Sequence, residues 1–289
     1  MIPLPMLQKS VQKGILEEMP ASTYAEILQR IQSALDAARV VFARFTPGAI
    51  ATEFKAGHDP VTEADRAVDA VLRQNLLRDG EGWLSEESAD DASRLNKSRV
   101  WVVDPLDGTR EFVAGIPEFC VSIALVEDGI PVAGGIFNPA TDETILGAID
   151  AGVLYNGQPA HPSQRNSLQG AVILASRSEV KRGEWQPFQN HEFTIRPMGS
   201  VAYKLGLVAA GRADITFTLT PKHEWDVAAG AALVASAGGF VATLDNTPLR
   251  CNNRNPLLSV LLACGPILRE LLLAALAGHL PAAATHSRS

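Results

Sequence analysis

An apolar strand that runs directly into two carboxylates is encoded by Trp101-Val102-Val103-Asp104-Pro105-Leu106-Asp107-Gly108-Thr109. Carboxylates three positions apart around a proline turn can converge on one hard cation, and the Leu106 carbonyl can add a third oxygen ligand. If a helix begins at Gly108, its free N–H groups face the same point and suit a phosphate. This strand end therefore predicts a place where a metal ion and an anion meet. The alternative is that Asp104 and Asp107 only cap a turn and a helix, because Asp-Pro and Asp-Gly are ordinary turn dipeptides.

Two helices are predicted before this strand. Apolar residues recur at helical spacing over residues 22–45, and a second helix begins near Thr62, which has the spacing of a capping pair with Asp65. Beyond Gly80, short apolar runs alternate with turn residues. These runs predict four strands, at residues 100–103, 121–126, 132–137 and 144–149. The turn at 128–129 predicts a hairpin, so this half is predicted to pack helices on a largely antiparallel sheet.

A second unit is predicted after the polar segment 156–167. Its pattern predicts a strand at 171–175, a helix at 201–210, a strand at 215–219, a helix at 225–237, and finally two strands and a helix. We therefore divide the chain into a leader (1–20), an N-terminal α+β subdomain (21–155), a C-terminal α/β subdomain (156–280) and a tail (281–289). The polar, Ala-rich tail is expected to be disordered.

Composition excludes several classes of partner. The 289 residues are 46% hydrophobic, enough for a large core, and the net charge of -7 lacks the basic surplus that nucleic acid polymers or anionic membranes attract. The apolar stretch 257–280 is interrupted by Gly, Pro and charged residues, which predicts a strand and a helix rather than a membrane span. Three dispersed cysteines and no signal-like N-terminus fit a soluble, cytoplasmic protein with reduced thiols.

Three other acidic positions attract attention. Ser85-Glu86-Glu87-Ser88 follows an apolar pair, so one carboxylate can point inward, although a solvated charge pair is the preferred explanation of this segment taken alone. Asp226 begins a helix rich in Ala and Gly, which permits close backbone approach to a site; a helix-dipole acid is the alternative. Asp65 lies in the first turn of its helix, where a capping role accounts for it.

Four segments in order resemble the signature of the inositol monophosphatase superfamily. They are Asp59-Pro60-Val61-Thr62-Glu63-Ala64-Asp65, Leu84-Ser85-Glu86-Glu87, Trp101 to Thr109, and Trp225-Asp226-Val227-Ala228-Ala229-Gly230. The resemblance spans roughly residues 22–275, and an ordered set matches by chance far less often than one short motif. It implies an α/β (α+β) fold, the layered αβαβα sandwich of the inositol monophosphatase and fructose-1,6-bisphosphatase type.

The resemblance also implies two or three Mg2+ ions. A first ion is held by Glu86, Asp104 and the Leu106 carbonyl, and a second by Asp104, Asp107 and Asp226. A third, weaker ion uses Glu86. Inhibition by Li+ through competition at a magnesium site is implied as well.

Catalysis is implied to use an attacking water oriented by Glu86 and by Thr109, whose hydroxyl is polarised by Asp65. The N–H groups of Gly108 and Thr109 hold the phosphate. No covalent phosphoenzyme is required.

Within the superfamily the chain most resembles the 3'(2'),5'-bisphosphate nucleotidases, because Arg110-Glu111-Phe112 follows Asp-Gly-Thr. Leu219 stands where inositol-selective relatives place an acid, which counts against inositol phosphate. Gly199-Ser200 is predicted to contact the leaving group, or else to be an ordinary helix cap. Lys222 and Arg110 are predicted to meet a second phosphate, or else to be surface charges.

We therefore expect a phosphomonoesterase that hydrolyses the 3'-phosphate of adenosine 3',5'-bisphosphate or a related small phosphorylated metabolite. The enzymatic alternative is an inositol monophosphatase or sugar-phosphate phosphatase with the same metals. A second alternative is a non-catalytic module that binds a protein or RNA, which the full set of carboxylates disfavours. A monomer and a homodimer are both compatible with the sequence.

Overall fold

The computed structural model describes residues 24–54, 60–189, 192–243 and 247–276. The predicted leader, the predicted tail and Asp59 of the first motif lie outside the described residues. The helices are α1 (Ala25–Phe42), α2 (Glu63–Leu76), α3 (Thr109–Val113), α4 (Arg177–Lys181), α5 (Val201–Ala209), α6 (Glu224–Ser236) and α7 (Arg269–Leu276).

Two large sheets organise the strands. The first half of the chain contains β1 (Glu53–Phe54), β2 (Pro60–Val61), β3 (Gly82–Ser85), β4 (Arg99–Asp107), β5 (Cys120–Glu127), β6 (Ile130–Asn138), β7 (Glu143–Ala148), β8 (Gly152–Tyr155) and β9 (Gln158–Ala160). The second half contains β10 (Val172–Ser176), β11 (Thr194–Met198), β12 (Ile215–Phe217), β13 (Lys222–His223), β14 (Phe240–Thr243), β15 (Leu257–Leu258) and β16 (Leu261–Cys264).

The first sheet has seven strands in the sequential order β3-β4-β5-β6-β7-β8-β9. All neighbours are antiparallel except β3 and β4, which are parallel. The predicted antiparallel sheet is thus confirmed, with an additional parallel strand beside β4. β9 extends this sheet beyond residue 155, into the polar segment that was predicted to separate the two subdomains.

The second sheet has five strands in the order β11-β10-β12-β16-β14. β10 is parallel to both neighbours, whereas β16 is antiparallel to both of its own. The sequence pattern does not predict β11, because Arg196 and Pro197 interrupt its apolar character. As an edge strand, β11 tolerates a proline that an interior strand would not.

Helices cover both sheets, so the layers follow the predicted αβαβα order. α1 and α2 pack on the outer face of the first sheet with Trp101 and Val103 of β4. α5 and α6 lie between the sheets, against Val100 and Val102 of β4. α7 packs on the far face of the second sheet, in the cluster that contains Ile173 of β10. Because both faces of β4 are covered, its sequence is continuously apolar rather than alternating.

Small residues let α6 lie very close to its neighbours. A Cβ at Gly134 of β6 would come within 2.6 Å of the Ala229 carbonyl oxygen, and a Cβ at Gly230 would come within 2.2 Å of Leu205 Cβ. The Ala-rich sequence of α6 therefore fixes the helix against the first sheet and against α5. Its N-terminus, which carries Asp226, is fixed with it.

Most predicted boundaries agree with the structure to within a few residues. α1 ends at Phe42 rather than at residue 45, and α6 begins at Glu224, one residue earlier than predicted. The three cysteines are free and buried, as expected of packed thiols. None of the helices in the described ranges combines the length and apolarity that crossing a membrane requires.

The tight contact between α5 and α6 leads to a stability prediction. We expect Gly230→Ala to lower the free energy of unfolding by about 1–3 kcal/mol, because the added methyl overpacks the contact with Leu205. Urea denaturation at 25 °C measures the change. Ala235→Ser, at an exposed position of the same helix, serves as the matched control and should change stability by no more than about 0.5 kcal/mol. Equal stability of the two variants would show that the helices can separate without cost.

Candidate functional site

An irregularity at the end of β4 brings its two carboxylates to one place. Asp104 pairs with Ser122 of β5, but Asp107, three residues on, pairs with Cys120, two residues away. In a regular strand, side chains three positions apart point to opposite faces. The extra residue allows Asp104 and Asp107 to face the same side, as a β-bulge does. The Leu106 N–H donates to Asp104 Oδ1 at 2.9 Å and fixes the turn.

Three carboxylates from three different elements converge here. Glu86, Asp104 and Asp226 each offer one oxygen, and these oxygens all lie within 4.8 Å of one another. Glu86 follows β3, where its N–H donates to the Val103 carbonyl at 3.3 Å. Asp226 lies in the first turn of α6, and its Oδ2 accepts from the His223 N–H at 3.0 Å. The parallel pairing of β3 with β4 thus places Glu86 beside Asp104.

Negative charge in this cluster is poorly compensated. Burial raises the pKa of Asp104 well above its usual range, and the charges of Glu86, Asp107 and Asp226 raise it further. Burial, Asp107 and Glu86 likewise raise the pKa of Asp226. Buried carboxylates are costly to ionise unless a cation accompanies them. Because every converging donor is an oxygen, the arrangement fits a hard divalent cation such as Mg2+.

Asp107 lies beside this group of three and is held from another direction. Its Oδ2 accepts hydrogen bonds from the Ser200 hydroxyl at 2.6 Å and from the Ala202 N–H at 2.6 Å. Burial raises the pKa of Asp107, and the Ser200 hydrogen bond opposes that increase. The start of α5 therefore binds one oxygen of Asp107.

Asp65 has the predicted capping role and also lies beside Thr109. Its Oδ2 accepts from the Thr62 N–H at 2.7 Å and from the Thr62 hydroxyl at 2.6 Å, which confirms the predicted capping pair. Its Oδ1 lies 3.1 Å from the Thr109 hydroxyl, which is also 3.0 Å from the Leu106 carbonyl. Burial raises the pKa of Asp65. One oxygen of Asp65 thus serves the helix while the other faces the site.

Gly108 caps α3 in a conformation that requires glycine. Its φ is +98°, and a Cβ would come within 2.9 Å of the Glu118 carbonyl oxygen. The helix that was predicted to begin at Gly108 begins one residue later, at Thr109. The backbone of the segment 107–109 is therefore pressed against the chain that leads into β5.

The predicted substrate residues lie in different surroundings. The Lys222 Nζ donates to Thr220 Oγ1 at 2.9 Å and lies 3.6 Å from Glu179 Oε1. Burial raises the pKa of both Asp107 and Asp226, and the charge of Lys222 opposes that rise. Arg110 is exposed on α3.

Two charged residues near the site were not predicted. Glu179 of α4 is fully buried and accepts from the Leu219 N–H at 3.2 Å and from Thr220 Oγ1 at 3.0 Å. Lys204 of α5 is buried, and burial lowers its pKa to about 8 although Asp107 opposes the shift. Both residues lie in helices without a recognisable sequence motif. The sequence therefore gave no indication that they lie near the site.

Comparisons with known proteins identify the family of this chain. Residues 23–280 match the model of the family described as the inositol monophosphatase family. The inositol-1-monophosphatase of Mesorhizobium japonicum is 38% identical over 196 residues, which cover 65% of this chain and 73% of that protein.

Solved structures show the same fold. The inositol monophosphatase from Anabaena (Nostoc) sp. PCC 7120 superposes with a TM-score of 0.75 at 30% identity, covering 90% of this chain and 98% of that one. CysQ from Bacteroides thetaiotaomicron, described as a bacterial member of the same family, has a TM-score of 0.70 at 26% identity, covering 83% of this chain and 97% of that one. From its sequence match, its fold and its acidic cluster, this chain belongs to the inositol monophosphatase family, a family of phosphatases.

Proposed function

We propose that this protein is a Mg2+-dependent phosphomonoesterase that removes the 3'-phosphate from adenosine 3',5'-bisphosphate. The observation that supports the chemistry is the convergence of the buried Asp104 with the half-buried Glu86 and Asp226, whose oxygens lie within 4.8 Å of one another. Glu86, Asp104 and the Leu106 carbonyl would hold a first ion. Asp104, Asp107 and Asp226 would hold a second, and Glu86 a weaker third. When bound, Mg2+ lowers the pKa of a coordinated water and offsets the charge on phosphoryl oxygens.

Residues around the cluster have distinct parts in the proposal. Glu86 and Thr109 orient the attacking water, and the Thr109 hydroxyl passes a proton toward Asp65 Oδ1, 3.1 Å away. The raised pKa of Asp65, a consequence of burial, suits an acceptor of that proton. The N–H groups of Gly108 and Thr109 hold the phosphate. Gly199 and Ser200 face the leaving group.

Lys222 supports a substrate with a second phosphate. Its charge opposes the rise that burial causes in the pKa of Asp107 and of Asp226, and we assign this ammonium to the outer phosphate of the substrate. A cation near the leaving group favours a bisphosphate over a neutral polyol. Leu219, packed against the core of the second sheet, offers no carboxylate for sugar hydroxyls. Arg110, exposed on α3, would be a second contact to the outer phosphate.

Inositol monophosphate is the second candidate substrate. The relative with 38% identity and the structure with a TM-score of 0.75 are both named as inositol monophosphatases. Both substrates would use the same metal ligands, so the two candidates differ only in what surrounds the leaving group.

Phosphate release by the purified protein separates the candidates. We expect a chelator-sensitive preference for adenosine 3',5'-bisphosphate over inositol 1-phosphate, which has no second phosphate to meet Lys222, and over fructose 1,6-bisphosphate, whose second phosphate is carried by a sugar instead of a nucleoside. A preference for inositol 1-phosphate would overturn the substrate and keep the metal chemistry. No release from any of the three would favour a binding role for this fold.

Asp104→Asn should remove turnover and yet stabilise the metal-free protein. In the folded protein the pKa of Asp104 is raised above its value in the unfolded chain, which is about 3.9. The folded state therefore loses stability as the pH rises above about 3.9. With chelator at pH 8 we expect the variant to melt about 2–4 °C above wild type, the shift that 1 kcal/mol produces in a domain of roughly this size. Toward about pH 3 the difference should shrink, because Asp104 is then mostly protonated in both states.

Added Mg2+ should reverse the order of the two melting temperatures. The ion stabilises the wild type by binding to it, whereas the variant has lost one of the proposed ligands. Asp79→Asn, the same change at an exposed position, serves as the control. A metal-free variant that melts below wild type at pH 8 would contradict the proposed repulsion.

Lys222→Met tests the second phosphate. We expect the KM for adenosine 3',5'-bisphosphate to rise about tenfold, corresponding to roughly 1.4 kcal/mol, and the KM for adenosine 3'-monophosphate to stay within about twofold. Steady-state kinetics at saturating Mg2+ measures both. Lys181→Met, at an exposed position of α4, is the matched control. An equal rise for the two nucleotides would remove Lys222 from phosphate recognition.

A further inference from the structure

Glu118 joins elements that belong to different sheets. It lies two residues before β5 of the first sheet, and its side chain is 18% exposed. Its Oε2 accepts a hydrogen bond from the Gly199 N–H at 2.8 Å. The same oxygen binds the guanidinium of Arg177, whose Nε lies 3.2 Å away and which begins α4 beside the second sheet.

The backbone of Glu118 also contacts Gly108, one of the two residues whose N–H groups are proposed to hold the phosphate. Its carbonyl oxygen would lie 2.9 Å from a Cβ at Gly108, so the two chain segments touch. Glu118 therefore contacts Gly108 through its main chain and the Gly199-Ser200 turn through its side chain.

The turn that Glu118 binds is in an unfavourable conformation. Ser200 has a φ of +52°, a backbone angle that residues other than glycine rarely adopt. Residues in such a conformation need support from their surroundings. Support comes from the Tyr203 N–H, which donates to Ser200 Oγ at 3.0 Å, and from Glu118 at the preceding residue. In this conformation the Ser200 hydroxyl and the Ala202 N–H both reach Asp107 Oδ2.

We propose that Glu118 is a positioning residue for Asp107, acting through the Gly199-Ser200 turn. By holding the turn, Glu118 keeps the two donors from α5 on Asp107 Oδ2 and leaves the other oxygen directed at the metal. This inference rests on the proposed role of Asp107 as a metal ligand. A simple surface ion pair between Glu118 and Arg177 would contribute little. The hydrogen bond from the Gly199 N–H to an ionised carboxylate is of a stronger kind.

Mg2+ binding to the metal-free protein tests the proposal without any substrate. Titration calorimetry on Glu118→Ala should give about tenfold weaker affinity, the lower end of the effect of removing a group that orients a metal ligand. Glu118→Gln should stay within about threefold of wild type, because its amide oxygen can still accept from the Gly199 N–H. At saturating Mg2+ the kcat of Glu118→Ala should approach that of wild type.

Glu184→Ala removes another glutamate that pairs with an arginine, Arg182, and is the matched control. Its Mg2+ affinity should equal that of wild type. In chelator, Glu184→Ala and Glu118→Ala should have the same melting temperature. If Glu118 had a purely structural role, its removal would lower the stability of the protein instead of its Mg2+ affinity.

Three results would overturn the proposal. They are wild-type Mg2+ affinity in Glu118→Ala, equal loss in Glu118→Gln, or a loss of affinity matched by a loss of stability in chelator. Asp107→Asn tests the assignment on which the proposal rests. If that variant also binds Mg2+ as the wild type does, Asp107 is not a ligand, and the failure lies there. The choice of nucleotide or inositol substrate affects none of these measurements.

Discussion

Four carboxylates meet at the end of β4, and their mutual repulsion in a buried setting has to be overcome by the rest of the fold. Burial and neighbouring charge raise the pKa of Asp104 and of Asp226 together. A flexible site would relieve this repulsion by letting the side chains move apart. The carboxylates stay together because β3, β4 and α6 are each fixed by a covered hydrophobic face. Core packing therefore supplies the energy that holds the acidic cluster in place.

In several acids around the cluster, one carboxylate oxygen accepts hydrogen bonds at the start of a helix. Asp65, Asp107 and Asp226 each use one oxygen to accept hydrogen bonds from a helix start: Thr62 at α2, Ser200 and Ala202 at α5, and His223 at α6. These bonds fix the side-chain torsions. In the sequence, capping a helix and binding a metal ion are alternative explanations for the same acid. In the structure one carboxylate can do both, because each of its two oxygens can have a different partner.

Periodicity and local motifs predicted much of the fold, including α1, α2 and β4 to β7. They drew attention to Glu86, Asp104 and Asp226, which each lie beside an apolar strand or helix start, but the layered order and the assignment of these acids to one site were implied by the family resemblance. β11 was not predicted, since a proline interrupts it. Glu118 and Glu179 were not predicted because their partners are distant in the chain; Gly199 is 81 residues from Glu118. Contacts of that kind leave no local pattern.

The close packing of α6 has a consequence for how this protein can evolve. The helix that carries Asp226 has no spare volume at Gly230, where one methyl would collide with Leu205. A larger side chain there requires the helix or its neighbour to move, and Asp226 belongs to the same helix. Substitutions at this contact therefore bear on the position of the acidic cluster as well as on the stability of the fold. A larger residue on one side is best accommodated by a smaller one opposite.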